Sequence, residues 1–157
     1  MTAAAPTAPD GGGYAAVLRQ RVAPEWIDYN GHLSEAYYVL IFGFATDGLM
    51  ERVGLGPDYR RETGRSLYTV EAHVRYLREV GEGSEVEVRT RVVAVGAKKV
   101  RLCHEMWLDG GLRATEELMA LHVDQQTQST VPFPEAVAER LAAAVGEAPD
   151  YAGRAIG

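Results

Sequence analysis

The sequence is poor in cysteine, in basic residues and in long apolar runs. Cys103 is the only cysteine among 157 residues, so neither a disulfide framework nor a thiolate metal cluster can form within one chain. Lysine and arginine number 16 against 22 aspartates and glutamates, and the net charge of −6 argues against a nucleic-acid-binding protein. No apolar run approaches the ~20 residues of a membrane span, so no membrane partner is expected. The lone cysteine favours a reducing, cytoplasmic location.

The two ends differ in composition from the middle. Residues 1–13 are rich in alanine, proline, threonine and glycine, without the basic head or apolar core of a signal peptide, and they are predicted to form a flexible tail. The hydrophobic content of 46% is enough for one ordinary domain. We expect this domain over residues 14–146, followed by a C-terminal tail over residues 147–157.

Hydrophobic periodicity predicts one long helix and an antiparallel sheet. A short strand is expected over residues 14–22, and apolar residues then recur at helical spacing over residues 33–50, on so much of the circumference that the helix should be buried. Gly43, inside this helix, suggests a close approach of backbone to another element. Four period-two runs separated by glycine-rich turns predict strands over residues 68–76, 85–94, 98–109 and 112–123. A short amphipathic helix is expected over residues 135–145.

The segment before the long helix carries the most informative motif. Asp28, Asn30 and His32 alternate along it, and the Asn30-Gly31 pair marks a tight turn. A helix N-terminus offers unpaired backbone N–H groups and a positive dipole end to a developing oxyanion. A carboxylate, an imidazole and such donors are the parts of an acyl-transfer site.

This motif and the order of elements resemble a known family. The Asp28-x-Asn30-Gly31-His32 turn, with Tyr38 six residues after the histidine, is similar to that of the hotdog-fold acyl-CoA thioesterases of the 4-hydroxybenzoyl-CoA thioesterase type. The resemblance implies an α+β hotdog fold, in which a five-stranded antiparallel sheet wraps around one long central helix, with a short C-terminal helix. It also implies an acyl-CoA substrate, and a homodimer or tetramer with active sites between subunits.

Three further segments give a narrower resemblance. Residues 68–71 (Tyr-Thr-Val-Glu), residues 76–79 (Tyr-Leu-Arg-Glu) and the strand end at residues 121–124 (Leu-His-Val-Asp) are similar to the thioesterases associated with carnitine dehydrogenase, which are assigned to betainyl-CoA. The resemblance covers about residues 18–124. It implies hydrolysis of a small acyl-CoA thioester, with betainyl-CoA as the candidate substrate.

The catalytic roles can be assigned from the chemistry of thioester hydrolysis. Asp28 is ionised at neutral pH and can either take a proton from water or attack the carbonyl, and the sequence leaves both routes open. The N–H groups at about residues 31–33, including that of Gly31, would form the oxyanion hole. Asn30 and His32 would orient water or the substrate carbonyl. Plant acyl-carrier-protein thioesterases have an Asp-x-Asn-x-His turn completed by a later glutamate, and this resemblance points to Glu79.

A quaternary ammonium acyl group would be held by aromatic rings and a carboxylate. The candidate substrate-binding residues are Trp26, Tyr29, Tyr37, Tyr68, Trp107 and Glu71. The CoA phosphates require basic partners, for which the candidates are Arg75, Arg78, Lys98, Lys99 and Arg101. No cofactor is expected, and His104 and His122 lack the spaced partners of a metal site.

Three other interpretations stay open at this stage. Asp28 or Asn30 could simply cap the backbone of the turn. A hotdog hydratase or dehydratase also uses aspartate and histidine, but its turn resembles Asp-x-Asn-Pro-x-His, whereas Gly31 replaces the proline here and His32 comes one residue early. A non-catalytic acyl-CoA-binding module would keep the aromatic and basic residues without a working carboxylate.

Overall fold

The computed structural model describes residues 13–157, so the predicted tail over residues 1–13 lies almost entirely outside it. Six strands and three α-helices follow one another in the described chain. The strands are β1 (Ala16–Arg21), β2 (Arg65–Tyr76), β3 (Glu85–Val95), β4 (Lys99–Leu108), β5 (Gly111–Asp124) and the two-residue β6 (Ser129–Thr130). The helices are α1 (Glu35–Val53), α2 (Pro57–Thr63) and α3 (Glu135–Ala144).

The strands form one antiparallel sheet in the order β1-β3-β4-β5-β2, with β6 paired to β5. The long helix α1 packs on one face of this sheet, as the hotdog prediction requires, and the fold class is therefore confirmed. The structure adds α2 and β6, which the sequence pattern did not indicate because both are too short to show a period. Among residues 13–157, none of the helices has the length and apolarity needed to cross a membrane.

Helix α1 is held by its apolar side chains and by its ends. Ile41, Phe42 and Leu49 are almost completely buried against the sheet. The helix begins at Glu35 instead of residue 33, because Leu33 is held in a short antiparallel bridge with Ile27, in which the N–H of Ser34 donates to the carbonyl of Trp26 at 3.0 Å. It ends where Gly54 adopts a left-handed conformation with φ 92°.

A buried histidine lies between α1 and the sheet. His104 on β4 stacks on Phe42 of α1 with ring centroids 5.8 Å apart, and the Oγ1 atoms of Thr46 and Thr90 lie 2.8 Å from its Nε2 and Nδ1. The Thr46 hydroxyl also lies 3.2 Å from the carbonyl of Phe42, to which it donates. Nε2 therefore carries the proton and Nδ1 accepts from Thr90. Burial lowers the pKa of His104 from its ordinary value of 6.5 to about 3, so the fold holds the neutral ring.

The opposite face of the sheet is covered in part by the C-terminal segment. The Tyr151 hydroxyl donates to Glu105 on β4 at 3.1 Å, and the N–H of Gly153 donates to Glu117 on β5 at 2.8 Å. Residues 151–154, part of the predicted C-terminal tail, thus lie against the sheet.

One edge of the sheet, and the side of α1 above it, are open. β2 is an edge strand, and Val70 on it is 56% exposed. Val39 and Leu40 of α1 are also exposed, although both are apolar. Gly43 is exposed with no atom within 4 Å of the position of a Cβ, so the predicted close approach at this glycine is wrong within one chain.

The neutral state of His104 predicts a specific pH dependence of stability. Below pH 6.5 the unfolded chain binds a proton at this position that the folded chain does not accept until about pH 3, so stability is lost as the pH falls through this range. His104→Leu removes this loss. We expect the unfolding free energy of wild type minus that of the variant to fall by about 1.4 kcal/mol between about pH 7.5 and about pH 5.5. Urea denaturation at the two pH values measures it, and an unchanged difference would show that His104 is protonated inside the fold.

Candidate active site

The Asp28 turn is built from its own backbone and side-chain hydrogen bonds. The N–H of Asp28 donates to the carbonyl of His32, and the N–H of Gly31 donates to the carbonyl of Asp28, each at 3.0 Å. Gly31 has φ 82°, a conformation that glycine adopts without strain. The carboxylate Oδ1 of Asp28 accepts the N–H of Asn30 at 2.8 Å. One carboxylate oxygen thus holds the turn, and the other has no partner among the described residues.

Asp28 lines a pocket at the N-terminal end of α1. The pocket has a volume of about 320 Å³ and is open to solvent on one side. Its lining comes from the Asp28 turn, from the start of α1 and from the end of β2 with the loop that follows it. The lining residues are Asp28, Leu33, Glu35, Tyr38, Tyr76, Leu77, Arg78 and Glu79.

The structure brings together the three ionisable residues that the sequence selected. Glu79 lines the same pocket as Asp28, and its Oε2 lies 3.2 Å from Nε2 of His32. The side chain of His32 is 40% exposed and that of Glu79 is 75% exposed. Solvent therefore weakens the attraction between them, and the pair contributes little to the stability of the fold. The pair matters for the position of the imidazole, which it holds beside the Asp28 turn.

Two of the three predicted oxyanion-hole donors are engaged elsewhere, whereas the N–H of His32 has no acceptor among the described residues. The N–H groups of Gly31 and Leu33, expected as donors, are used by the carbonyls of Asp28 and Val80. The N–H of Ser34 is also engaged, by the carbonyl of Trp26 at 3.0 Å.

Free donors lie one turn further along the chain. In the described part of the chain, no acceptor is bonded to the N–H groups of Glu35 and Ala36, in the first turn of α1. Sequence reasoning missed them because it placed the helix start two residues too early.

Two tyrosines form the inner wall of the pocket. The rings of Tyr38 on α1 and Tyr76 on β2 meet edge to face with centroids 5.1 Å apart. The Tyr76 hydroxyl donates to the carbonyl of Glu35 at 3.3 Å, which ties the end of β2 to the start of α1. Burial raises the pKa of both phenols, so they are neutral hydrogen-bonding groups. Tyr76 could have been identified from the sequence, because it is the last apolar residue of the alternating β2 pattern and lies three residues before Glu79.

The aromatic residues predicted around Asp28 divide into two groups. Trp26 is buried and stacks on Tyr37 with centroids 5.7 Å apart, so both rings support the turn from the core side. Tyr29 is 97% exposed and touches no part of the pocket.

The other predicted substrate-binding residues lie away from Asp28 within one chain. Tyr68 accepts a hydrogen bond from Gln125 at 2.8 Å and lines a larger pocket, of about 520 Å³, at the C-terminal end of α1. Glu71 lies beside the C-terminal segment on the outer side of the sheet. Trp107 lies under the guanidinium of Arg89, 4.8 Å from its ring centroid.

Only one basic candidate for the CoA phosphates lines the pocket. Arg78 is part of its wall, whereas Arg75 lies on the outer side of the sheet and Arg101 is paired with Glu117 at 3.1 Å. Lys98 lies in the β3–β4 turn and Lys99 is the first residue of β4, and neither is part of the pocket lining.

Comparison with known proteins gives matches over most of the chain. The thioesterase-like superfamily model matches residues 22–141. The betainyl-CoA thioesterase of Pseudomonas aeruginosa is 42% identical over 87% of this chain and 90% of that protein. The L-carnitine dehydrogenase/betainyl-CoA thioesterase of Agrobacterium fabrum is 43% identical over 83% of this chain, which corresponds to only 28% of that larger protein.

Solved structures give the same result. A putative thioesterase from Pseudomonas putida is 40% identical, with a TM-score of 0.77 over 88% of this chain and 93% of that one. A hypothetical protein of Staphylococcus aureus, solved in complex with CoA, has a TM-score of 0.84 at 26% identity, over 90% and 93% of the two chains. These matches confirm the predicted hotdog fold and the predicted enzyme class, a thioester hydrolase. The chain belongs to the thioesterase-like superfamily.

Proposed function

We propose that this protein hydrolyses betainyl-CoA to the free betaine and CoA. The observation that carries the hydrolytic part is that Asp28 and Glu79 line one solvent-accessible pocket at the start of α1, with the imidazole of His32 3.2 Å from Glu79. The substrate part is supported by the relatives named betainyl-CoA thioesterase, at 42% and 43% identity.

The chemistry requires one bond to break and one to form at the thioester carbonyl. If Asp28 acts as a base, it takes a proton from the water that attacks the carbonyl carbon, the C–S bond breaks, and the proton passes to the CoA thiolate. If Asp28 attacks the carbonyl carbon itself, the C–S bond breaks to give the CoA thiolate and an anhydride on Asp28, and water then hydrolyses this anhydride to betaine and free Asp28. The free N–H groups of Glu35 and Ala36 are the donors available to the carbonyl oxygen as it becomes negative. The dipole of α1, a helix of 19 residues, adds to this effect.

The remaining pocket residues support binding. The His32–Glu79 pair orients the imidazole toward the water or the thioester beside Asp28. The guanidinium of Arg78 is suited to a phosphate of CoA, because it offers several N–H donors in a fixed plane.

A second copy of the chain is the proposed partner at the open edge. A long unpaired edge strand with exposed Val70 invites pairing with another strand, and Val39 and Leu40 form apolar surface above it. The open space at Gly43 leaves room for the second copy on the same side. Because Tyr76 belongs both to this edge and to the Asp28 pocket, the partner would border the active site. The assembly would be a homodimer, or a tetramer built from two of them.

The competing functions fit less well. A hydratase or dehydratase would need the proline turn and the later histidine that this sequence lacks, and the relatives are named as thioesterases. A backbone-capping role accounts for only one oxygen of Asp28, since the other has no partner in the described chain and the residue lines the pocket. The buried Cys103 favours the reducing cytoplasm as the location of the enzyme.

A panel of acyl-CoA substrates tests the proposed specificity. We expect kcat/KM for betainyl-CoA to exceed that for tert-butylacetyl-CoA, in which carbon replaces the quaternary nitrogen, by about tenfold or more. Short straight-chain and aryl thioesters should be slower still, because they lack the charge and the shape. Equal rates for the cationic and the neutral isostere would contradict the substrate assignment.

Asp28→Asn tests the catalytic group. The amide keeps the oxygen that accepts the N–H of Asn30, so the turn should persist, but it cannot act as a base or nucleophile. We expect kcat to fall about a thousandfold with little change in the affinity for CoA, measured by thiol release and by calorimetry. Asp58→Asn, at an exposed position of α2 paired only with Arg61, is the control. Unchanged turnover would remove Asp28 from the mechanism.

Val70→Glu tests the assembly. Sedimentation should give wild type a mass of at least twice 17.1 kDa, and the charge introduced at the β2 edge should shift the variant toward the mass of one chain. Hydrolysis should fall about tenfold or more, since the partner borders the site. Ala143→Glu, on the exposed side of α3, should leave both properties unchanged. A variant that stays dimeric and active would place the interface elsewhere.

A further inference from the structure

A buried carboxyl group lies under α1 and has no role in the mechanism described above. Glu116 on β5 is only 4% exposed, and within residues 13–157 no hydrogen bond or ion pair reaches its carboxyl oxygens, which keep a small contact with solvent. A largely buried charge without a protein partner is costly, so its retention needs an explanation. Burial raises the pKa of Glu116 to about 7.

The strand register places Glu116 on the face of the sheet that carries α1. It lies opposite His104 on β4 and opposite Val74 on β2. His104 directs both ring nitrogens to threonine hydroxyls and gives nothing to Glu116. The carboxyl is therefore not part of the hydrogen-bonded core beside it, although it is its direct neighbour.

Glu116 also lies next to the inner wall of the Asp28 pocket. Tyr76 pairs with Ala114, two residues from Glu116 on the same face of β5. Burial is the largest cause of the raised pKa of Tyr76, and the charges of Glu35 and Glu116 raise this pKa further. The Glu116 carboxylate is therefore within electrostatic reach of the Tyr76 phenol. On the helix side, Phe42 stacks on His104, the neighbour of Glu116. The next residue, Gly43, has no side chain, and no atom lies within 4 Å of the position of a Cβ there. Glu116 thus lies on the same face of the sheet as Tyr76, whose ring in turn contacts that of Tyr38.

A carboxylate beside aromatic rings is suited to a quaternary ammonium group. Such a cation donates no hydrogen bonds, so it is held by ring faces and by an opposite charge at low dielectric. An empty site of this kind costs stability, whereas the bound cation neutralises the carboxylate. This explains why the carboxyl is buried and unpaired in the free protein.

We propose that Glu116, with the rings of Tyr38 and Tyr76, forms the subsite that receives the cationic end of the acyl group. This assignment rests on the proposed function, since it presumes a cationic acyl-CoA substrate at the Asp28 pocket. It replaces Glu71, whose carboxylate lies on the outer side of the sheet. Glu116 determines specificity and takes no part in bond breaking.

The experiment compares the ratio of kcat/KM for betainyl-CoA to that for tert-butylacetyl-CoA in wild type, in Glu116→Gln and in Glu116→Asp. Glutamine has the shape of the protonated acid and no charge. We expect Glu116→Gln to lower the ratio about tenfold or more by slowing betainyl-CoA alone, with tert-butylacetyl-CoA hydrolysed within about threefold of wild type. Glu116→Asp keeps the charge and should restore part of the ratio. Glu117→Gln, the next residue on the opposite face, is the matched control and should keep the wild-type ratio.

The outcomes separate this inference from the proposed function. A wild type that hydrolyses both thioesters at equal rates would overturn the betainyl-CoA assignment itself. A wild type that prefers the cation, with a Glu116→Gln variant that keeps the full preference, would overturn only the role of Glu116. Should Glu116→Gln fail to fold, Tyr76→Leu provides the test at a half-exposed edge position. Loss of the cation preference there supports the subsite, and its retention refutes it.

Discussion

The candidate site depends on one backbone connection between two distant parts of the chain. The N–H of Leu33 donates to the carbonyl of Val80 at 2.8 Å, and His32 pairs with Gly81 in the same short bridge. This connection joins the turn before α1 to the loop after β2, and it brings Glu79 beside His32. A second contact, in which the Tyr76 hydroxyl donates to the carbonyl of Glu35 at 3.3 Å, joins the end of β2 to the start of α1.

The space between α1 and the sheet contains two buried ionisable residues in different circumstances. His104 is neutral and both of its nitrogens have hydroxyl partners, so it behaves as a well-satisfied part of the core. Glu116, its direct neighbour across the sheet, has no such partners and lies beside the tyrosines of the pocket. The difference between His104 and Glu116 is informative because buried polar groups in proteins generally have hydrogen-bond partners. A group left unsatisfied next to a pocket indicates a ligand that would satisfy it.

The site is a mixture of residues that the sequence could select and residues that it could not. Asp28, His32 and Glu79 were selected because their types and spacing match a known chemical motif, and the structure places them together. Tyr68, Glu71 and Trp107 were selected by residue type alone, and within one chain they lie on other surfaces. Residue type indicates what a side chain can do, but only the register of the strands decides which side of the sheet it occupies.

The sequence by itself determined the order of elements, the buried helix, the antiparallel sheet and the family, because periodicity and local turn motifs are properties of neighbouring residues. It did not determine the start of α1, the free N–H groups of Glu35 and Ala36, or the position of Glu116. These depend on contacts between residues far apart in the chain, such as Leu33 with Val80 and Tyr76 with Tyr38. Long-range hydrogen bonds and packing override local preference wherever they satisfy a backbone group that the local pattern would leave free, and only the tertiary structure shows where this occurs.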